Sequence, residues 1–241
     1  MSDPLFRRVL LKISGEALSG PVGFGLDAET LNYIAGEIAG VHGLGVETAV
    51  VVGGGNFIRG DVFSTQGGID RTVADQMGMM GTIMNALALQ AAMEKHGVPT
   101  RVQSAINVSQ VAESFIRRRA MRHMEKGRVV VFAAGTGNPY FTTDTAAVLR
   151  ALEIEAGCLL KATKVDGIYD KDPKKFPDAV RFDKLDYSEA ISRRLAVMDQ
   201  TAFTMCREHK LPVIVLDLNQ KGAMLRAVKG EQGVGTLVGG E

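Results

Sequence analysis

Apolar residues along this chain fall into two alternating patterns, short unbroken runs and longer stretches spaced by threes and fours. Arg8 to Ile13 is a run of the first kind and reads as a buried strand ending in Ser14-Gly15-Glu16. Leu31, Ile34, Ile38 and Val41 then recur at helical spacing, behind an Asp27 suited to capping the helix start. Glu47 to Val52 is a second strand, stopped by Gly53-Gly54-Gly55-Asn56. A long helix is predicted from about Arg71 to His96. It carries one apolar stripe at Val73, Met77, Met80, Met84, Leu87 and Ala91, and another at Met79, Ile83, Ala86, Leu89 and Met93. A helix apolar on two faces is buried on both, in the core or under another subunit. The remaining pattern predicts a strand at Arg101 to Ile106, a helix at Ser109 to Lys126 and the most apolar strand at Arg128 to Ala134. Gly135-Thr136-Gly137-Asn138-Pro139 breaks that strand, and Thr143 or Asp144 caps a helix ending near Gly157. Cys158 to Ala162 is the next strand, followed by a polar loop from Thr163 to about Asp178. Two helical stretches cover Ser188 to Lys210, and strands follow at Pro212 to Leu216 and Thr236 to Val238.

Strands alternating with helices of this length imply parallel pairing and right-handed crossovers. The predicted fold is therefore α/β, an open, mainly parallel twisted sheet with helices on both faces. No composition shift or internal repeat divides residues 1–241, so one domain is expected.

Composition narrows the function more than the fold. Lys plus Arg number 28 against 27 acidic residues, a net charge of +1, which argues against a protein that neutralises a nucleic-acid backbone or coats an anionic membrane. The run Arg117-Arg118-Arg119 with Arg122 fits a solvated helix face better than a nucleic-acid patch. The longest apolar run, Val129 to Ala134, has six residues, against the ~20 a spanning helix needs. The N-terminus shows no hydrophobic block of signal length. Cys158 and Cys206 form no Cys-x-x-Cys pair, which suggests a reducing cytosol. The histidines, His42, His96, His123 and His209, share no metal-ligand spacing, and His42, His96 and His209 fall near helix ends.

Ligands of open α/β sheets bind beyond the carboxyl ends of the strands. Four of those ends carry unusual sequence here: Lys12-Ile13-Ser14-Gly15, Gly53-Gly54-Gly55-Asn56, Gly135-Thr136-Gly137-Asn138 and Thr163-Lys164-Val165-Asp166-Gly167. Three of them suit the exposure of backbone N–H groups to an anion. The standard phosphate motifs are nonetheless missing. Gly55 and Gly60 have P-loop separation, but Asp61 follows where lysine is required, and neither glycine turn completes a dinucleotide fingerprint. Several loops must act together. Lys12, in the last turn of a buried strand, reads as a cation held over polyphosphate in preference to a structural salt bridge. Arg59 could clamp a phosphate through two hydrogen bonds. Asp144 could cap its helix, orient Lys12 or carry Mg²⁺, and spacing does not choose.

Lys12-Ile-Ser-Gly-Glu16, the triple glycine with Asn56 and Arg59, Asp75-Gln-Met-Gly-Met79, Gly135 to Asp144 and Lys161-Ala-Thr-Lys-Val-Asp-Gly167 together resemble the bacterial uridylate kinases of the amino-acid kinase superfamily. The resemblance runs in order from Arg8 to about Leu237, and its most specific part is the Gly135–Asp144 stretch. Tyr140 stands where the family also uses Phe. The resemblance implies a three-layer sandwich, with an acceptor-site part over roughly 1–160 and an ATP-site part over roughly 161–241. It implies a cytosolic homohexamer that phosphorylates UMP with ATP and Mg²⁺, the metal carried mainly by nucleotide phosphates. It assigns catalytic roles to Lys12, Arg59 and Asp144, and ATP contacts to Lys12, Ile13, Ser14, Gly15, Gly55, Arg59, Thr163, Tyr169 and Asp172. UMP contacts fall on Gly54, Asp75, Thr136, Gly137, Asn138, Pro139, Tyr140, Phe141, Thr142 and Thr143. Gly20, Pro21, Val22, Gly23, Phe24 and Gly25 resemble a segment through which GTP activates and UTP inhibits, although the residues alone describe only a mobile glycine-rich loop.

The chemistry of the residues agrees. An acceptor phosphate is already ionised near neutral pH, so transfer between phosphates needs alignment and positive charge but no general base. No histidine lies in the glycine loops, and Lys164 offers a further cation. An acyl-phosphate-forming kinase of the same fold and a non-catalytic nucleotide sensor are the alternatives. The Gly135–Asp144 stretch speaks against the first, and the joint presence of Lys12, Arg59 and Asp144 against the second.

Overall fold

A strand with no polar alternation has to be covered on both sides, and all six residues of β1 (Arg8–Ile13) are buried. The computed structural model describes residues 3–58, 68–193, 195 and 198–239. Its centre is a nine-stranded sheet in the order β4-β3-β5-β2-β1-β6-β10-β11-β9. The strands are β2 (Glu47–Val52), β3 (Thr100–Ser104), β4 (Glu113–Ser114), β5 (Val129–Ala133), β6 (Cys158–Thr163), β9 (Lys184–Leu185), β10 (Val213–Asp217) and β11 (Thr236–Val238). Pairing is parallel from β4 through β10, and β11 runs antiparallel to β10. A separate hairpin joins β7 (Ile168–Tyr169) to β8 (Arg181–Phe182).

The pleat of β1 divides the core. Val9, Leu11 and Ile13 face α1 (Ala28–His42), α2 (Arg71–Lys95) and α7 (Ala223–Val228), whereas Leu10 faces α3 (Arg117–Glu125), α4 (Thr143–Glu153), α5 (Tyr187–Ser192) and α6 (Gln200–Glu208). The result is the predicted open sheet between two helical layers. Leaving β1, the chain crosses to β2 on one side; leaving β6, it reaches β10 on the other. The reversal of direction lies between β1 and β6, where such sheets bind ligands.

Asp27 caps α1 as expected, its carboxylate accepting from Thr30 N at 2.8 Å. On α2, Met79, Ile83, Ala86, Leu89 and Met93 are buried in the chain's own core, while Val73, Met80 and Met84 remain 46%, 48% and 51% exposed. One predicted stripe is thus internal and the other faces outward.

Three expectations need correction. The helix predicted over Ser109 to Lys126 begins only at Arg117, because residues ahead of it are held by tertiary partners. Glu113 takes hydrogen bonds from Gln103 and His123 in edge strand β4, and Phe115 packs edge-to-face on Phe132, 5.5 Å between ring centroids, beneath the Arg150 guanidinium. Such contacts override local helical spacing. The cap of α4 is Thr142 and neither Thr143 nor Asp144: its hydroxyl accepts from Asp144 N at 3.1 Å and Thr145 N at 3.2 Å. Finally, α7 and the two-residue strands β4, β7, β8 and β9 were too short for periodicity to mark. Among the arginines of α3, Arg117, Arg119 and Arg122 pair with Glu155, Glu113 and Glu125 on an exposed face, as a solvated surface would.

Candidate active site

Register brings the charges together. Leu10-Leu11-Lys12 in β1 lies directly beside Leu159-Leu160-Lys161 in β6, residue for residue. Both lysines therefore emerge on the same face of adjacent strands, at the carboxyl edge. There the first turn of α4 presents Asp144, with Oδ1 2.8 Å from Lys12 Nζ and Oδ2 2.6 Å from Lys161 Nζ. Lys12 and Lys161 are 7% and 8% exposed. Burial works to raise the Asp144 carboxyl, but the ammonium groups of Lys12 and Lys161 and their hydrogen bonds outweigh it and hold the carboxyl below its ordinary value. Burial pushes the Lys161 ammonium down, Asp144 opposes this, and the neighbouring Lys12 charge adds to it. Two ammonium groups confined around one carboxylate favour the approach of an anion. Both carboxylate oxygens of Asp144 face ammonium nitrogens, an arrangement that fits the orienting alternative.

A cavity of about 310 Å³ opens at the strand ends. Its wall includes Gly54, Gly55, Asp75, Thr136, Asn138, Phe141, Thr142 and Thr143. The structure thereby gathers most of the predicted acceptor residues into one place and adds Gly55, which the resemblance put with ATP. Gly137, Pro139 and Tyr140 belong to the same loop but not to this wall. Tyr140 is 69% exposed, and its backbone N–H donates to Asp75 Oδ2 at 2.8 Å, so Asp75 ties the loop to α2. Arg71 holds the same carboxylate at 2.9 Å. Thr142 donates to Asp199, which also accepts from Thr145 at 3.0 Å and caps α6.

The glycines here serve packing as much as amide exposure. A Cβ on Gly15 would lie 2.8 Å from Gly53 O, and one on Gly54 would lie 2.5 Å from Gly78 O in α2. The loops after β1 and β2 touch backbone to backbone, which only glycine allows.

The remaining predicted contacts are more scattered. Ser14 follows β1 and Thr163 ends β6; the Thr163 hydroxyl donates to Val165 O at 2.7 Å. Tyr169 in β7 donates to Asp166 Oδ1 at 2.7 Å, and that bond, with burial, raises its phenol above the ordinary value. Asp172 caps the following turn by accepting from Lys174 N at 3.0 Å. Neither Tyr169 nor Asp172 lines the acceptor cavity. Gly20 and Pro21 border a second cavity of about 380 Å³ together with Glu16, Tyr33 and Lys164. Lys164 stands there, apart from Asp144; the further cation at Asp144 is Lys161. Gly25 is pinned to Asn56 by two hydrogen bonds, 2.7 and 2.9 Å long, and Phe24 meets Phe57 edge-to-face. Arg59 lies outside the described residues.

Residues 7–217 match the family model described as the amino acid kinase family. The chain belongs to the amino acid kinase family. Among its relatives, the uridylate kinase of Paramagnetospirillum magneticum is 58% identical over 237 residues, 98% of each chain. The chloroplastic uridylate kinase PUMPKIN of Arabidopsis thaliana is 56% identical over 235 residues, covering 98% of this chain and 69% of that one. The crystal structure of UMP kinase from Bacillus anthracis superposes with a TM-score of 0.93 at 38% identity, covering 97% of this chain and 96% of that one.

Within this amino acid kinase, the sequence left several residues unassigned. Lys161 was signalled by the repeated Leu-Leu-Lys of β1 and β6, once those strands are aligned. Asp199 carries no local signal beyond its place ahead of a helix. Thr82 and Asn85, on the inner face of α2, look like interruptions in a methionine-rich helix. They hold Ala134 N at 2.6 Å and Gly53 O at 2.7 Å, respectively.

Proposed function

We propose that this chain transfers the γ-phosphoryl group of ATP to UMP, forming UDP and ADP. The observation that carries the reading is the Lys12–Asp144–Lys161 cluster, set at the reversal point of the sheet. The cavity bounded by Gly54, Asp75 and the loop from Thr136 to Thr143 lies at the same edge. The match to uridylate kinases over nearly the whole chain supports the choice of acceptor. UMP enters with its phosphate oxygens ionised, so attack needs no base. The two lysines neutralise charge on the transferring group, and Asp144 keeps them parallel. The acceptor loop excludes water and fixes the nucleotide. Mg²⁺ arrives on the ATP phosphates in this reading. ATP contacts at Ser14, Gly15, Thr163, Tyr169 and Asp172, and phosphate binding by Arg59, remain part of the proposal, as do the acceptor-side and ATP-side parts of one continuous sheet.

The exposed Val73, Met80 and Met84 stripe supports contact with further copies of the chain; the homohexamer, and GTP and UTP as effectors acting through residues 20–25, complete the proposal. Cys158 and Cys206 are free and buried, which suits a cytosolic setting. No helix among the described residues is long and apolar enough to cross a membrane.

The test is ADP formation from ATP and Mg²⁺ with a panel of acceptors. UMP should be turned over far faster than CMP or AMP. Equal turnover of N-acetylglutamate or aspartate would point to acyl-phosphate chemistry, and nucleotide binding without turnover to a sensor.

A further inference from the structure

Asn56 and Asn85 are 1% and 0% exposed and face each other as a reciprocal amide pair. Asn56 Nδ2 donates to Asn85 Oδ1 at 2.9 Å, and Asn85 Nδ2 donates to Asn56 Oδ1 at 2.7 Å. Each NH₂ has a second acceptor, Gly25 O for Asn56 and Gly53 O for Asn85, both at 2.7 Å. Those two main-chain carbonyls fix which end of each amide is nitrogen. A buried network with every donor used specifies one arrangement of the segments it joins. Here the segments are the Gly20–Gly25 stretch, the loop after β2 and the inner face of α2.

The loop so held touches both sides of the reaction. Gly54 and Gly55 line the acceptor cavity. Gly53 donates to Ile13 O at 2.9 Å and lies so close to Gly15 that no Cβ would fit between them. A shift of Gly53 therefore moves the acceptor wall and the turn that follows Lys12 together. We propose that the Asn56–Asn85 pair is a positioning device for phosphoryl transfer, setting the line between donor and acceptor phosphates without touching either. The proposal rests on the phosphotransferase reading above. In-line transfer is sensitive to position, and a displacement of about 1 Å can cost ~10²-fold in rate.

The experiment uses the assembled full-length enzyme and two variants, Asn85→Ala and Asn85→Asp. Turnover should fall ~10–100-fold in Asn85→Ala while KM for ATP changes by less than ~3-fold. In Asn85→Asp the carboxylate cannot donate to Gly53 O, but the protonated acid can. Its kcat relative to the parent should therefore recover in part as pH falls, the acid's one O–H standing in for one of the two N–H donors of Asn85. Hydrogen exchange at the backbone amides of residues 53–56 should quicken in Asn85→Ala while that of β1 and β6 does not. Folded variants with kcat within ~3-fold of the parent, whatever their melting temperature, overturn the proposal. Failure of both to fold places the pair in stability alone and overturns it as well. A parent enzyme that turns over no UMP refutes the functional reading instead. The exchange measurement, which needs no substrate, then decides whether the pair positions the loop.

Discussion

Replacing Lys161 with methionine keeps the aliphatic stem in β6 and removes one of the two ammonium groups on Asp144. Lys161 is 8% exposed and 2.6 Å from Asp144 Oδ2, so its charge acts where water screens little. Deleting one preorganised donor to a transferring group typically lowers kcat by ~10²–10³, about 2.7–4 kcal/mol of transition-state stabilisation. The cost to folding should be smaller. A single charge-assisted hydrogen bond contributes about 1.5–3 kcal/mol, and Asp144 keeps Lys12 at 2.8 Å, so it is not left as an unpaired buried charge. The methionine also removes the cost of burying an ammonium. Turnover should consequently collapse in a protein that still melts cooperatively. Steady-state ADP release with UMP and ATP varied separately gives kcat and both KM values, and calorimetry gives the stability. A kcat within ~3-fold of the parent, in a folded variant, would show that Lys161 only neutralises Asp144 and takes no part in the transfer.

Asp75→Ala should raise KM for UMP much more than KM for ATP, because it removes a polar group of the acceptor wall and frees Tyr140 N; equal rises would displace Asp75 from the acceptor site. Met80→Lys with Met84→Lys should lower the assembled mass seen by light scattering without unfolding the chain, since both side chains are about half exposed; an unchanged mass would assign that stripe to solvent. The Asp144 carboxyl sits below its ordinary value in the fold. Its contribution to stability is therefore full above the unfolded value near 3.8 and is lost as pH falls through the folded one. The melting temperature should drop below about pH 4, and Asp144→Asn should show a shallower drop; an identical acid profile would remove Asp144 from the linkage.

The sheet was legible in the sequence because its strands are unbroken apolar runs bounded by glycine, and β1, β2 and β11 have the predicted limits. Where local pattern competed with distant partners it misled, as at Glu113 and Phe115, which a helical period absorbs but a salt-linked edge strand and a stacked aromatic pair hold elsewhere. Lys12 and Asp144 could be picked out because each stands beside an apolar or glycine-rich strand end, whereas Asp75 came only with the family resemblance. Lys161 was passed over in favour of Lys164 because choosing between them requires the register of β6 against β1, a nonlocal quantity. Asn85 was hidden for the opposite reason: in a helix read for its methionines, a single amide looks like tolerated polarity until its partners are known.

The in-register Leu-Leu-Lys of β1 and β6 bears on which parts of this chain can change length. The spacing between the two cations is set by the sheet's own hydrogen-bond ladder, about 4.8 Å from strand to strand, and not by any loop. Adding or losing one residue within either strand would turn its lysine to the opposite helical layer, separating it from Asp144 by the thickness of the sheet. Insertions between β6 and β9, or ahead of α2, leave that spacing untouched. The loops around the site can therefore drift in length, while the distance between the two ammonium groups on Asp144 is fixed by the backbone itself.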